Sequence, residues 1–199
     1  MATQSSMHIF FDWAKGRLDE IDATLASLET SVGKLHADAR VRAEPALADM
    51  RKARDSFGKL MKEQAQAGQE TLTRSKEALD SQWTAFEGSL QAYIDAAGKQ
   101  IDVQRAAFEA RAVAQGKAWQ EAIDELHKNA AAFAADRRGD LDKAVAQMRT
   151  QADTAKVKFD KLGKASGESW GALKSALSES RGALDRAYQA AQEAFKRAS

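Results

Sequence analysis

The chain has 199 residues, 44% hydrophobic and 30% charged, with 30 Lys/Arg against 29 Asp/Glu and no cysteine. Alanine supplies about half of the hydrophobic total, so the large apolar side chains suffice for a thin seam and not for a thick core. Ala, Glu, Lys, Leu and Arg with a single proline exclude an all-β fold and point to long helices. The missing cysteine excludes a disulfide framework, a thiol nucleophile and a thiolate metal site.

Residues 1–6 precede any apolar pattern and are expected to be disordered. The apolar run Ile9, Phe10, Phe11 stops at Asp12, short of the roughly 7–15 apolar residues of a signal peptide or the ~20 of a membrane span. A soluble, cytoplasmic protein is expected. Ile9, Phe10, Phe11 and Trp13 cluster beside Lys15 and Arg17. Such a basic-aromatic helix start covers one end of a bundle or anchors in a lipid or polymer surface.

An apolar stripe at spacings of three and four follows: Leu18, Ile21, Leu25, Leu28, Val32 and Leu35. It returns as Leu79, Trp83, Phe86 and Leu90, then as Trp119, Ile123 and Leu126. Its last passage is Phe159 and Leu162, then Trp170, Leu173, Leu177, Leu184, Tyr188 and Phe195. A mean period of about 3.5 is the heptad seam, narrower than the face of an ordinary globular helix. The expected fold is all-α, with long antiparallel amphipathic helices packed by heptads as coiled-coil hairpins or an elongated bundle. Breakers fall at Pro45, Gly68, Gly98, Gly139 and the run Gly163 to Gly167. Pro45 and Gly139 either kink or end a helix, so four to six helices are expected.

Shifting the chain by 98 residues lays Met50-Arg51 on Met148-Arg149, Asp38 and Arg40 on Asp136 and Arg138, and Asp55 on Asp153. Lys76 meets Lys174, Leu79 meets Leu177, and Gln91-Ala92 meets Gln189-Ala190. Because 98 is fourteen heptads, only the polar matches off the seam carry weight. They indicate a tandem repeat, residues 7–98 and 99–199. Residues 1–98 hold 12 Lys/Arg against 15 Asp/Glu and residues 99–199 hold 18 against 14, opposite balances that favour packing of one half on the other.

The string Trp119-Gln-Glu-Ala-Ile-Asp-Glu-Leu126, followed by Lys158 to Ala187 with its Ala-Ser-Gly-x-x-Trp-x-x-Leu-Lys segment, resembles the small bacterial coiled-coil stress-response proteins first noted in cyanobacteria. The first half repeats the elements more faintly, in Trp13, Leu18-Asp-Glu-Ile21, Phe57-Gly-Lys-Leu60 and Ser81-Gln-Trp83. The resemblance implies a cytoplasmic, helical, stress-associated protein and brings no catalytic or binding residues.

Chemistry-bearing groups are sparse. Asp124 and His127 stand three apart, but a di-iron bundle needs two Glu-x-x-His motifs and two further inward glutamates; His36 has Gly33 at that position and His8 lies at the chain start. Three solvated histidines beside a seam account for this, and no metal is expected. Ser166, Ser169, Ser175, Ser178 and Ser180 lack a nearby histidine or a strand-turn-helix elbow, which leaves Ser166 or Ser169 to cap the last helix. Gly163-Lys-Ala-Ser-Gly167 lacks the spacing of a phosphate loop. The basic stretch Lys156, Lys158, Lys161, Lys164 is interrupted by Asp160 and flanked by Asp153 and Glu168, so nucleic acid is not an expected partner. No cofactor and no enzymatic activity are expected.

Trp83, Trp119 and Trp170 each have leucine seven residues on, at Leu90, Leu126 and Leu177, and are read as seam residues. Two functions follow from the pattern. The first is a self-associating helical scaffold, expected as a homodimer because an alanine-rich seam buries little area within one chain. The second is an amphipathic coat on lipid or polymer granules, as in phasins and apolipoproteins, whose helices can open a bundle and lie on a surface.

Overall fold

A computed structural model describes residues 2–67, 71–98, 100–131, 135–164 and 169–198, with the side chains of residues 2–6, 135–137, 195, 196 and 198 outside the description. Six helices account for nearly all of it: α1 (Ala2–Val32), α2 (Ala37–Ala67), α3 (Leu72–Ala97), α4 (Ile101–Ala130), α5 (Ala135–Lys164) and α6 (Trp170–Ala198). No strand occurs among the described residues. The fold is an all-α bundle. α1 begins at Ala2, within the stretch expected to be disordered.

Two of the expected breaks lie inside helices. Pro45 stands in α2, its ring exposed, while Ala43, Ala46, Leu47 and Met50 around it are buried and hold the helix in place. One missing amide bond is tolerated there because the packed face is continuous. Gly139 lies in the first turns of α5, where a Cβ would meet nothing. The actual turns fall at 33–36 and around 131. In the first, Lys34 N–H bonds Ser31 O (2.9 Å) and Leu35 N–H bonds Val32 O (3.2 Å). Leu35 continues the three–four spacing beyond the helix end and is still buried, which conceals the turn from periodicity. Gly98 ends α3 with φ +67° and donates to Ile94 O and Asp95 O, a conformation glycine adopts freely. Ser169 caps α6, its Oγ accepting from Ala172 N–H at 3.3 Å; Ser166 lies outside the described residues.

Helices α2 and α5 begin at Ala37 and Ala135, and α3 and α6 at Leu72 and Trp170, both pairs 98 residues apart. The chain divides into two compact units, one of residues 1–16 with 112–199 (unit 1) and one of Arg17–Arg111 (unit 2). These are not the halves 7–98 and 99–199. Unit 2 combines α2 and α3 with the later part of α1 and the first part of α4. Unit 1 combines α5 and α6 with the start of α1 and the later part of α4. Each unit therefore holds two whole helices and parts of both α1 and α4.

In unit 2 the interior is made by Ile21, Leu25 and Leu28, by Met50 and Phe57, by Leu79, Trp83, Phe86, Leu90 and Tyr93, and by Val103 and Phe108. Tyr93 Oη donates to Leu28 O at 3.2 Å. The buried row of α1 is rotated from the expected seam: Arg17, Glu20, Thr24 and Ser31 are interior, whereas Leu18 and Val32 are only half-buried. The hydroxyls of Thr24 and Ser31 bond the carbonyls four residues back, which lets them be enclosed without loss. In unit 1, Trp119, Ile123, Leu126, Phe159, Trp170, Leu173, Leu177, Leu184 and Tyr188 are buried. Leu162 is half-buried, and the Phe195 side chain lies outside the described residues.

Within unit 1, α1 and α4 approach closely: a Cβ on Gly16 would lie 3.1 Å from Ala118 Cβ. A Cβ on Gly58, inside α2, would meet nothing within 4 Å. Gly16→Val should therefore destabilise by about 1–3 kcal/mol through overpacking, while Gly58→Ala should stabilise by roughly 0.5–1 kcal/mol through helix propensity. Urea unfolding of the two variants checks both signs, and a neutral Gly16→Val would contradict the close approach.

Candidate functional site

The start of α1 is the segment that sequence pattern marks as an anchor. In unit 1 its Ile9, Phe10 and Trp13 are buried and Phe11 is half-buried. The Phe10 ring meets Phe11 edge-on with centroids 5.4 Å apart and lies 5.7 Å from Trp13. Trp13 Nε1–H donates to Asp185 Oδ1 on α6 at 2.7 Å. The ring that could enter a membrane boundary is thus satisfied inside the bundle. These residues form an interior cluster, and an exposed anchor is not what they make here. Outside it, His8 Nε2 pairs with Glu125 Oε1 (2.7 Å) and Lys15 Nζ with Glu121 Oε2 (2.8 Å). Burial pushes the Asp12 carboxyl above its ordinary value, against the opposing pull of His8. Burial also raises the Tyr188 phenol, reinforced by the carboxylates of Asp12, Glu121 and Asp185.

The second concentration of chemistry lies in unit 2, and the apolar stripe does not reveal it. Arg111 on α4 is 1% exposed. Its Nε donates to Glu20 Oε1 on α1 at 2.7 Å and its Nη2 to Glu87 on α3. Trp83 faces two guanidinium groups, with Arg17 Cζ 5.1 Å and Arg111 Cζ 5.7 Å from its ring centroid, within cation–π range. Arg17 Nη1 also lies 3.4 Å from Asp80 Oδ1. Burial works against the Arg111 charge, but Glu20 and Glu87 outweigh it and hold the guanidinium above its ordinary value. Arg111 Nη1 is buried with no hydrogen-bond partner. Two arginines and three carboxylates around one indole can fix which helices meet and in which register. The available signal was that Arg17, Glu20 and Thr24 keep the three–four spacing of the apolar residues beside them.

Elsewhere the polar groups act structurally. Gln64, buried near the end of α2, accepts from Thr71 (2.8 Å) and Ser75. Ser180 accepts from Trp119 Nε1 at 3.2 Å, and Asp124 accepts from Gln120 at 2.8 Å. Of the basic stretch, Lys156 bonds Asp160 (2.7 Å) and Lys158 bonds Glu179. Those bonds raise the Lys156 ammonium and hold the Asp160 and Glu179 carboxyls below their ordinary values. Among the described residues no group of three or more His, Asp or Glu side chains is placed to hold a metal, and no helix is long and apolar enough to cross a membrane. In comparison with known proteins, the chain matches no family model, no curated protein and no solved structure.

Arg111→Met removes the guanidinium that joins Glu20 on α1 to Glu87 on α3 inside unit 2 and should cost about 3–5 kcal/mol at neutral pH. The drop in the urea midpoint of the variant reads that cost, and a midpoint equal to the parent's would mean that these bonds do not hold the helices.

Proposed function

We propose that the protein is a non-enzymatic helical scaffold or interaction protein that works as a closed bundle. The observation that carries this reading is the directional bonding inside both units. Arg111 is tied to Glu20 and Glu87 in unit 2, and Trp13 to Asp185 and Trp119 to Ser180 in unit 1. Polar bonds of this kind favour one pairing of helices over its slipped alternatives, as a scaffold that presents a fixed surface requires. Large apolar side chains exposed among the described residues are Val41, Ile101, Val113 and Val157, dispersed over three helices. The stress association and cytoplasmic setting rest on the resemblance carried by Trp119–Leu126 and Lys158–Ala187. Most of the described seam residues are buried within one chain, with Leu18, Val32 and Leu162 half-buried, so a homodimer would draw mainly on the outer charged surface.

One observation favours the coat instead. The start of α1 is held over its aromatic cluster partly by His8–Glu125 and Lys15–Glu121, pairs whose members are about half to a quarter exposed and which contribute little to stability. Release of that segment would bare Ile9, Phe10, Phe11 and Trp13 to a lipid or polymer surface.

Co-sedimentation with anionic vesicles and with hydrophobic polymer particles, read together with tryptophan emission, separates the two. The scaffold reading expects protein in the supernatant and unshifted emission. Pelleting with a blue shift, abolished by Phe10/Phe11/Trp13→Ala, would replace it with the coat.

A further inference from the structure

Unit 1 contains a groove of about 370 Å³ between α4 and α5. Trp119 and Phe159, both buried, form its aromatic floor, Gly116, Ala152 and Ala155 leave it open, and Asp153 stands at its rim. A Cβ built on Gly116 meets nothing within 4 Å. The offset of 98 residues that relates α5 to α2 carries each of these openings to a large side chain in unit 2: Gly116 to Leu18, Ala152 to Arg54, and Ala155 to Phe57.

At the positions related by that offset, unit 2 carries larger groups. Phe57 is completely buried, and Arg54 reaches from α2 to α1. Its Nε donates to Asp22 Oδ1 (2.8 Å), its Nη2 to Asp22 Oδ2 (3.4 Å) and its Nη1 to Asp55 (3.2 Å). Under the same offset the acceptors persist in unit 1, with Asp153 in place of Asp55 and the Gln120 carboxamide in place of Asp22. The alkyl stem and its cation do not persist.

We propose that the α4–α5 groove binds a small alkyl cation, an amine or guanidine on an apolar stem, which supplies from outside what Arg54 supplies within unit 2. The stem lies over the open apolar lining, Val113, Ala152 and Ala155, above the buried Trp119 and Phe159, removing apolar surface from water. The cationic head takes a charge-assisted bond from Asp153 and an acceptor from Gln120. Lys156, the ammonium among the lining residues, is bonded to Asp160 at 2.7 Å and not to Asp153, which leaves the Asp153 carboxylate to meet a cation and repel an anion. This site stands independently of the scaffold reading.

The test is isothermal titration of the full chain with n-hexylguanidinium, n-hexylammonium, n-hexanoate and guanidinium alone, at fixed ionic strength. The two alkyl cations should bind saturably at one site, at least about tenfold more tightly than hexanoate or stemless guanidinium. Ala152→Arg, which places in the groove the residue type that unit 2 has at the related position, should abolish binding, and Asp153→Asn should weaken it about tenfold while leaving helicity unchanged. If Ala152→Arg does not fold, Asp153→Asn decides alone. Equal binding of hexanoate, no binding of either alkyl cation, or affinity unchanged in Asp153→Asn would overturn the proposal.

Discussion

Alanine fills many of the enclosed positions of this chain, Ala14, Ala107 and Ala191 without any exposure, and an alanine face removes far less area from water than a leucine face. Three helices built on such faces give a thin core. The structure meets that limit by giving every compact unit a fourth helical side, taken from the first helix of the other repeat. α1 serves unit 1 with its start and unit 2 with its remainder, and α4 serves unit 2 with its start and unit 1 with its remainder. Both halves of the sequence thereby contribute helices to each unit.

The polar contacts follow the same scheme. Trp13 and Arg111 are 98 residues apart, as are Glu87 and Asp185. Trp13 of the first repeat donates to Asp185 of the second in unit 1, and Arg111 of the second donates to Glu87 of the first in unit 2. One contact has an indole N–H on a carboxylate and the other a guanidinium, but both join the first helix of one repeat to the third helix of the other. A hydrogen bond between buried groups adds modest stability and a large penalty when mispaired. These two contacts therefore select the exchanged arrangement more than they strengthen it.

Much of the fold was legible because it is local. Composition and the three–four spacing pointed to the helices, Gly98 marked the end of α3, and Ser169 marked a cap. The turns at 33–36 and around 131 were not legible, since Leu35 prolongs the seam and the alanine run after Asn129 contains no breaker. Pro45 and Gly139 read as breaks because propensity is a local quantity and packing of Ala43, Leu47 and Met50 is not. The ionic cluster escaped for a related reason. A stripe traced on apolar residues steps over Arg17 and Glu20, and nothing local tells that Arg111, some ninety residues on, lies between Glu20 and Glu87. The division into units was equally hidden, because repeats are visible in sequence whereas the exchange of helices between them is a property of tertiary packing.

The central claim is that each unit is assembled from both repeats, and a cut between the repeats tests it most directly. A protease site inserted after Gly98 allows the folded, full-length protein to be cleaved into its two halves. The exchanged arrangement requires that the halves stay associated at micromolar concentration, co-elute in sizing with undiminished helicity, and separate only in denaturant. Halves that part in native buffer, each retaining its helical signal, would show that each repeat is complete in itself and would contradict the account.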